Sequence, residues 1–296
     1  MTNGPVLVVG ATGLLGGLIC AKSVERWPVR ALVRSASKAK ARALIQQGVE
    51  IAIGDLKDRA TLVAACRGIQ TVISTATAIV SQHPSDAIET VDLAGQMALI
   101  DAAEAAGVRK FVFISLPEQP ESFPLQTAKR TVEGRLRHSR LAFTVLRPAF
   151  FQEVWLSAPL GFNISERRVR IYGTGDGKLS WISAKDVAAA ASAAAVGDDA
   201  SGRIVALNGP EALNPREVVK IFEEISGQQF AVEYIPVAAL QAQYATAVDP
   251  REKSFFALAI EYSRGRASAT EASGVVPSAT ISVREYAAGV IQKSNN

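Results

Sequence analysis

Residues 6–17 read VLVVGATGLLGG, and no other stretch limits the fold as strongly. A short apolar, β-branched run leads into glycines at 10, 13 and 16, and helix-forming residues follow directly. Strand, glycine loop and helix in that order are the context in which such a pattern predicts dinucleotide binding. Glycine adopts backbone angles that other residues resist and lets a pyrophosphate come close to the main chain. The first-turn N–H groups, with the positive end of the helix dipole, then point at the phosphates. Gly10, Thr12, Gly13, Leu14, Leu15 and Gly16 are therefore the expected phosphate cradle. A glycine-rich turn without a ligand would have the same sequence.

Similar runs recur as VRALVR (29–34), VEIAIGD (49–55), TVISTAT (71–77), KFVFIS (110–115) and FTVLRP (143–148). Between them lie segments of helical composition such as ATLVAACRG and AGQMALIDAAEAAG, with glycine just past the end. Near-continuous apolar runs indicate strands covered on both faces. Their alternation with helices predicts an α/β fold, a doubly wound parallel sheet of Rossmann type.

After Pro148 the alternation stops. There follow FFQEVW, an expected hairpin VRIYGTGDGKLSWIS, an alanine-rich helix, a seventh strand RIVALNG, and a helix opening at Asn214 with Pro215 in its first turn. The expected division is a Rossmann domain over 1–150 and a smaller, discontinuous substrate-side lobe over 151–296. A further strand and helices near 182–225 would return to the core. GTGDGK looks like a triphosphate loop, but Tyr172 stands where its first glycine belongs and Leu179 where a magnesium-holding Ser or Thr belongs. A turn between strands accounts for it.

Hydrophobic residues at 48% and charged residues at 20% are ordinary globular usage. With 32 basic against 28 acidic residues, the chain lacks the excess of a nucleic-acid binder and suits a phosphorylated small molecule. Cys20 and Cys66 cannot build a disulfide framework or a thiolate metal site, and His83 and His138 have no partners at ligand spacing. No metal is expected. No basic leader precedes the first strand, and no apolar stretch reaches the roughly 18 residues of a membrane span, so the expected address is the cytoplasm.

An NAD site usually offers an acid about twenty residues past the loop, to the adenosine ribose. From Arg26 to Val49 there is no Asp or Glu, and VRSASK presents Arg34, Ser35, Ser37 and Lys38 instead. Arg34 can fork onto a 2′-phosphate and Lys38 adds a point charge, which favours NADP(H). A solvated basic helix start would read the same way.

The segments GATGLLG, GDL (54–56), FVFIS, AKRTVEGRLRHSRLAFTVLRPAFF and WISAKDVA occur in this order. With them the chain resembles the NmrA-like atypical short-chain dehydrogenases over roughly residues 5–225. The resemblance implies NADP(H) lying across the carboxyl ends of the strands. Asp55 and Leu56 would flank the adenine, Thr75 and Ala76 would line the end of the fourth strand, and Pro148, Ala149 and Phe150 would pass near the nicotinamide. It also matches Lys129 to the lysine of the superfamily's Tyr-x-x-x-Lys pair, yet Leu125 occupies the tyrosine position and none of the five tyrosines has a lysine four residues later. A lone lysine can fix the nicotinamide ribose or, if desolvated, exchange a proton; from its helix alone it could also be surface charge.

Ser115 falls where the superfamily often places a substrate-orienting hydroxyl, and could equally cap the following loop. The absence of any G-x-S-x-G elbow argues against a hydrolase. Phe150, Phe151 and Trp155, three aromatics within six positions at the sheet's carboxyl edge, read either as an apolar substrate wall or as core packing. The expected function is an NADPH-dependent reductase of a small electrophilic acceptor, of quinone, enone or imine type. The alternatives are an NADP(H)-binding sensor or regulator without turnover, and an assembly factor.

Overall fold

The computed structural model describes residues 4–81, 83–196, 202–265 and 276–294. The chain forms two compact units. The first takes the described residues of Met1–Arg147, Val187–Val205 and Ser273–Pro277. In it, strands β1 (Val6–Val9), β2 (Val29–Val33), β3 (Glu50–Ile53), β4 (Thr71–Ser74), β5 (Lys110–Ile114) and β6 (Ala142–Pro148) pair in parallel throughout. The strand Arg203–Leu207 completes a seven-stranded sheet in the order Arg203–Leu207, β6, β5, β4, β1, β2, β3. Chain order reverses between β1 and β4, the place where open α/β sheets take their ligands at the carboxyl ends.

Helices α1 (Leu14–Ser23), α2 (Ala39–Gln46), α3 (Arg59–Cys66), α4 (Gln96–Ala105) and α5 (Pro124–Arg137) join successive strands. Alternate strand residues face opposite sides. Leu7 and Val9 enter one core with Val72, Phe111, Phe113 and Val145, covered by Leu62, Leu99, Ile100, Val132 and Leu136 from α3, α4 and α5. Val6 and Val8 are buried on the other face. There Ser23 of α1 meets Ser192 at 3.1 Å, and Thr71 donates to the carbonyl of Ala195 at 3.2 Å. Burial of both faces is why these strands read as unbroken apolar runs.

The second unit takes the described residues of Pro148–Asp186, Ala206–Ala272 and Ser278–Asn296. Its core gathers Phe162, Ile171, Trp181, Phe222 and Ile260. The helix Pro215–Ser226 packs here through Val218, Val219 and Phe222, and so belongs to this unit and not to the sheet it follows in sequence. Asn214 accepts from Glu217 N at 2.8 Å while the Glu217 carboxylate accepts from Asn214 N at 2.7 Å, a reciprocal capping box that fixes its start.

The hairpin expected across 169–183 does not form. Arg168–Tyr172 pairs with Phe162–Asn163 and Ala231–Ile235, whereas Leu179–Ile182 pairs with Ala212–Leu213 and Phe150–Phe151. The loop between them is no tight turn. Gly173 and Gly175 sit at φ +80° and +76°, and a Cβ on Gly177 would lie 2.6 Å from the Cα of Gly265. This loop packs on the end of the helix Pro250–Arg264, and the two strands belong to different sheets.

Among the described residues no helix is long and apolar enough to cross a membrane, and no group of three or more His, Cys, Asp or Glu side chains is placed to hold a metal.

Candidate cofactor and active site

The glycine loop is built to bring backbone close to backbone. Gly10 has φ +85°, and a Cβ there would meet Thr75 Oγ1 at 2.5 Å and Ala76 N at 2.9 Å. On Gly16 a Cβ would lie 2.3 Å from the Gly10 carbonyl oxygen. Both glycines are therefore required by the turn itself. Thr12, Gly13 and Leu14 form the exposed crest, Leu15 is half-buried, and α1 starts from Gly13 with no side chain capping its first turn. A first turn of α1 left without a side-chain cap fits the phosphates of a dinucleotide. Across from it, Thr75 Oγ1 donates to the Val9 carbonyl at 3.1 Å, and Gln96 fixes the end of β4 by accepting from Ser74 and donating to Ala76 O.

The end of β2 is acid-free in sequence but not in space. Asp86, 7% exposed, accepts from Arg34 Nη1 at 2.9 Å and 3.2 Å, from Lys57 Nζ at 2.7 Å and from Ser81 Oγ at 2.6 Å. Burial by itself would raise its carboxyl; the bonds from Lys57 and Ser81 and the charge of Arg34 outweigh that and hold it at about 2. Lys57 also lies 3.2 Å from Asp55, next to Leu56, which is buried in the core. Ser35 pairs with Ser37 at 2.9 Å, and Lys38 stands exposed at the start of α2.

Lys129 is no solvated charge. The buried stripe of α5 runs Leu125, Ala128, Lys129, Val132, Glu133, Leu136, so the spacing that buries leucine and valine also buries two ionic side chains. The Lys129 ammonium lies 3.2 Å from Asp92 Oδ1 and 4.9 Å from the centre of the Phe113 ring. Asp92, fully buried, belongs to a π-helical stretch, Ile88–Gly95, and its other oxygen accepts from Ala78 N at 2.8 Å. The pair thus ties α5 to the segment that follows β4. Leu125, at the tyrosine position, is 4% exposed and adds no titratable group.

Ser115 donates to Glu133 Oε1 at 2.6 Å and accepts from Arg130 Nη1 at 3.1 Å. Glu133, 1% exposed, also takes Arg130 at 2.5 Å and Arg147 at 2.6 Å. Burial would raise the Glu133 carboxyl, but Arg147, Ser115 and Arg130 together lower it. The Ser115 hydroxyl therefore anchors the end of β5 within a charged network that also holds the end of β6, the geometry of a strand-end cap.

Pro148, Ala149, Phe150, Phe151 and Trp155 belong to the second unit. Ala149 N donates to Leu207 O at 2.8 Å. Trp155 stacks on Tyr262 with ring centres 5.2 Å apart and meets the edge of Phe150 at the same separation. Burial pushes the Tyr262 phenol far above its ordinary value, so this ring packs and does not trade protons near neutral pH. Phe151 is half-buried, its backbone opposite Ile182.

Asp86, Lys57, Asp92, Glu133, Arg130 and Arg147 were not among the expected site residues. Glu133 and Asp92 did carry a signal, each being an acid in phase with neighbouring apolar residues of a helix. Asp86 carried none, lying 52 residues from Arg34 in a loop.

A seven-stranded parallel sheet with helices on both faces and a glycine loop after its first strand defines a Rossmann-type α/β protein. The NmrA-like family model matches residues 2–262, and the chain belongs to that family. It is 33% identical over 244 residues to the NAD(P)H azoreductase of Xenophilus azovorans, spanning 81% of this chain and 79% of that one. It is 31% identical over 242 residues to Photosystem II assembly factor Ycf39 of Cyanophora paradoxa, spanning 80% and 73%. Among solved structures, the NADPH-dependent quinone oxidoreductase QOR2 of Escherichia coli, complexed with NADPH, matches at TM-score 0.75 and 24% identity, over 98% of this chain and 100% of that chain.

Proposed function

We propose that this chain is an NADPH-dependent reductase of a small electrophilic acceptor, apolar or aromatic, of the quinone, enone or imine class. One observation carries the reading: a buried Lys129–Asp92 pair with Leu125 where a proton-donating phenol would stand. Without a phenol to protonate the product as it forms, the acceptor must itself stabilise the electron pair it receives, as quinones and conjugated carbonyls do. The azoreductase and quinone oxidoreductase relatives support the same class of chemistry.

NADPH would supply the hydride. The loop from Gly10 to Gly16 and the start of α1 would hold its pyrophosphate, Arg34 and Lys57 with Ser35 and Lys38 its 2′-phosphate, and Asp55 and Leu56 its adenine. Thr75, Ala76 and Lys129 would position the nicotinamide ribose, with Lys129 fixed by Asp92. Within the second unit, Phe150, Phe151 and Trp155 would be the apolar side chains offered to an acceptor.

The test is NADPH consumption by the purified protein against a panel of quinones, enones and aromatic azo and imine compounds. Turnover of a member of the panel supports the reading. Tight NADPH binding with no turnover across the panel would favour a cofactor-binding regulator or assembly factor, the reading supported by the likeness to the Photosystem II assembly factor.

A further inference from the structure

We propose that Asp86 tunes the nucleotide preference of this chain by competing with a 2′-phosphate for Arg34 and Lys57. The inference rests on the NADP(H) reading above and goes beyond it. Arg34 follows β2, Lys57 follows β3 and Asp86 lies beyond β4, so three strand ends bring these side chains to one place on the carboxyl edge of the sheet. Oδ1 of Asp86 receives Lys57 and Arg34, and Oδ2 receives Arg34 and Ser81. Both oxygens are thus supplied with two donors each. With Asp55 3.2 Å from Lys57, the two carboxylates offset the charges of Arg34 and Lys57, the two cations a 2′-phosphate would share with Asp86.

A phosphate and a carboxylate ask the same thing of a guanidinium and an ammonium: forked, charge-assisted N–H donation. Arg34 is 43% exposed and open to an incoming ligand, whereas Asp86 is buried at 7% and cannot follow its partners into water without losing their bonds. An incoming 2′-phosphate must therefore share Arg34 and Lys57 with a carboxylate already bonded to both. NADH carries no such group and meets no such competition. Asp86 is accordingly a specificity-determining residue that holds the preference for NADPH below what Arg34 alone would give. A β2 end read in isolation, basic and without an acid, overstates that preference.

The experiment compares the wild-type chain with Asp86→Asn and Asp86→Ala, measuring dissociation constants for NADPH and NADH and, to isolate the adenosine end, for 2′,5′-ADP and 5′-AMP. Circular dichroism and the melting curve establish that each variant is folded. The expected result is an NADPH affinity raised about five-fold, the scale of a part-exposed ion pair. The same gain should appear for 2′,5′-ADP, with NADH and 5′-AMP moving less than about two-fold. An unchanged NADPH-to-NADH ratio in both folded variants, or a fall in NADPH affinity, would overturn the proposal, the latter by showing that Asp86 positions Arg34 for the phosphate. Failure of the folded wild-type chain to bind any of the four nucleotides would overturn the cofactor reading itself. That outcome is distinct from binding that simply ignores Asp86.

Discussion

The ammonium of Lys129 and the carboxylate of Asp92 lie 3.2 Å apart, with side chains 6% and 0% exposed. A pair so buried is costly to break and nearly neutral to replace whole. Lys129→Met should lower unfolding stability by about 3–5 kcal/mol because it strands the carboxylate. Lys129→Met with Asp92→Asn, which keeps an acceptor for Ala78 N, should recover much of that loss. NADPH affinity tells the roles apart: it should stay weak in the stable double variant if Lys129 holds the ribose. A return to wild-type affinity would make the pair purely structural.

Arg34→Asp adds a second carboxylate beside Asp86 and removes the guanidinium. NADPH affinity should fall at least ten-fold, roughly the value of a charge-assisted contact to phosphate, while NADH affinity changes little or improves. Titration with both nucleotides reads this directly. Equal loss for the two would place the 2′-phosphate elsewhere.

Glu133 is shared by Arg130, Arg147 and Ser115. Glu133→Gln would leave two guanidinium groups facing a neutral amide, and should cost about 3 kcal/mol in a denaturant unfolding curve. Ser115→Ala removes one hydroxyl from this network and should cost about 1 kcal/mol. If Ser115 only caps the strand end, turnover at saturating acceptor will follow stability; a kcat loss in a fully folded Ser115→Ala variant would assign it to the reaction.

Asp86 titrates at about 2 in the folded chain against an ordinary 3.8. A lowered folded value means the deprotonated form is favoured by folding. The contribution is fully present above the unfolded value and is lost as pH falls toward the folded one. Linkage makes it about 2 kcal/mol, disappearing between about pH 5 and pH 2. Urea unfolding across that range should show a shallower acid loss in Asp86→Asn than in the wild type.

Trp155 packs on Tyr262, Phe150 and Tyr172, whereas Phe151 has no ring partner among the described contacts. Trp155→Ala should therefore destabilise by about 3 kcal/mol. Phe151→Ala should cost less and, if it faces the acceptor, should raise KM for quinones with the NADPH affinity intact. A melting temperature that falls as far for Phe151→Ala as for Trp155→Ala would place both in the core.

The sheet, the glycine loop and the buried stripe of α5 are legible in local sequence. Strands covered on both faces need apolar residues at nearly every position, so β1, β4 and β5 declare themselves as VLVV, TVIS and KFVFI. The loop needs glycine at 16 because a Cβ there would collide with the backbone of the same turn, and at 10 because φ there is +85° and a Cβ would strike Thr75 and Ala76 at the end of β4. Which charges meet is set by contacts between segments far apart in the chain. Asp86 reaches Arg34 from a loop beyond β4, Asp92 reaches Lys129 from the π-helical turn, and Glu133 gathers two arginines from different elements. The strands flanking GTGDGK likewise find partners far away in sequence, Ala231–Ile235 for one and Ala212–Leu213 for the other. Periodicity reports the burial of one segment against an average interior, whereas an ion pair or a loop contact depends on which two segments the sheet order brings together. That order is a property of the whole chain.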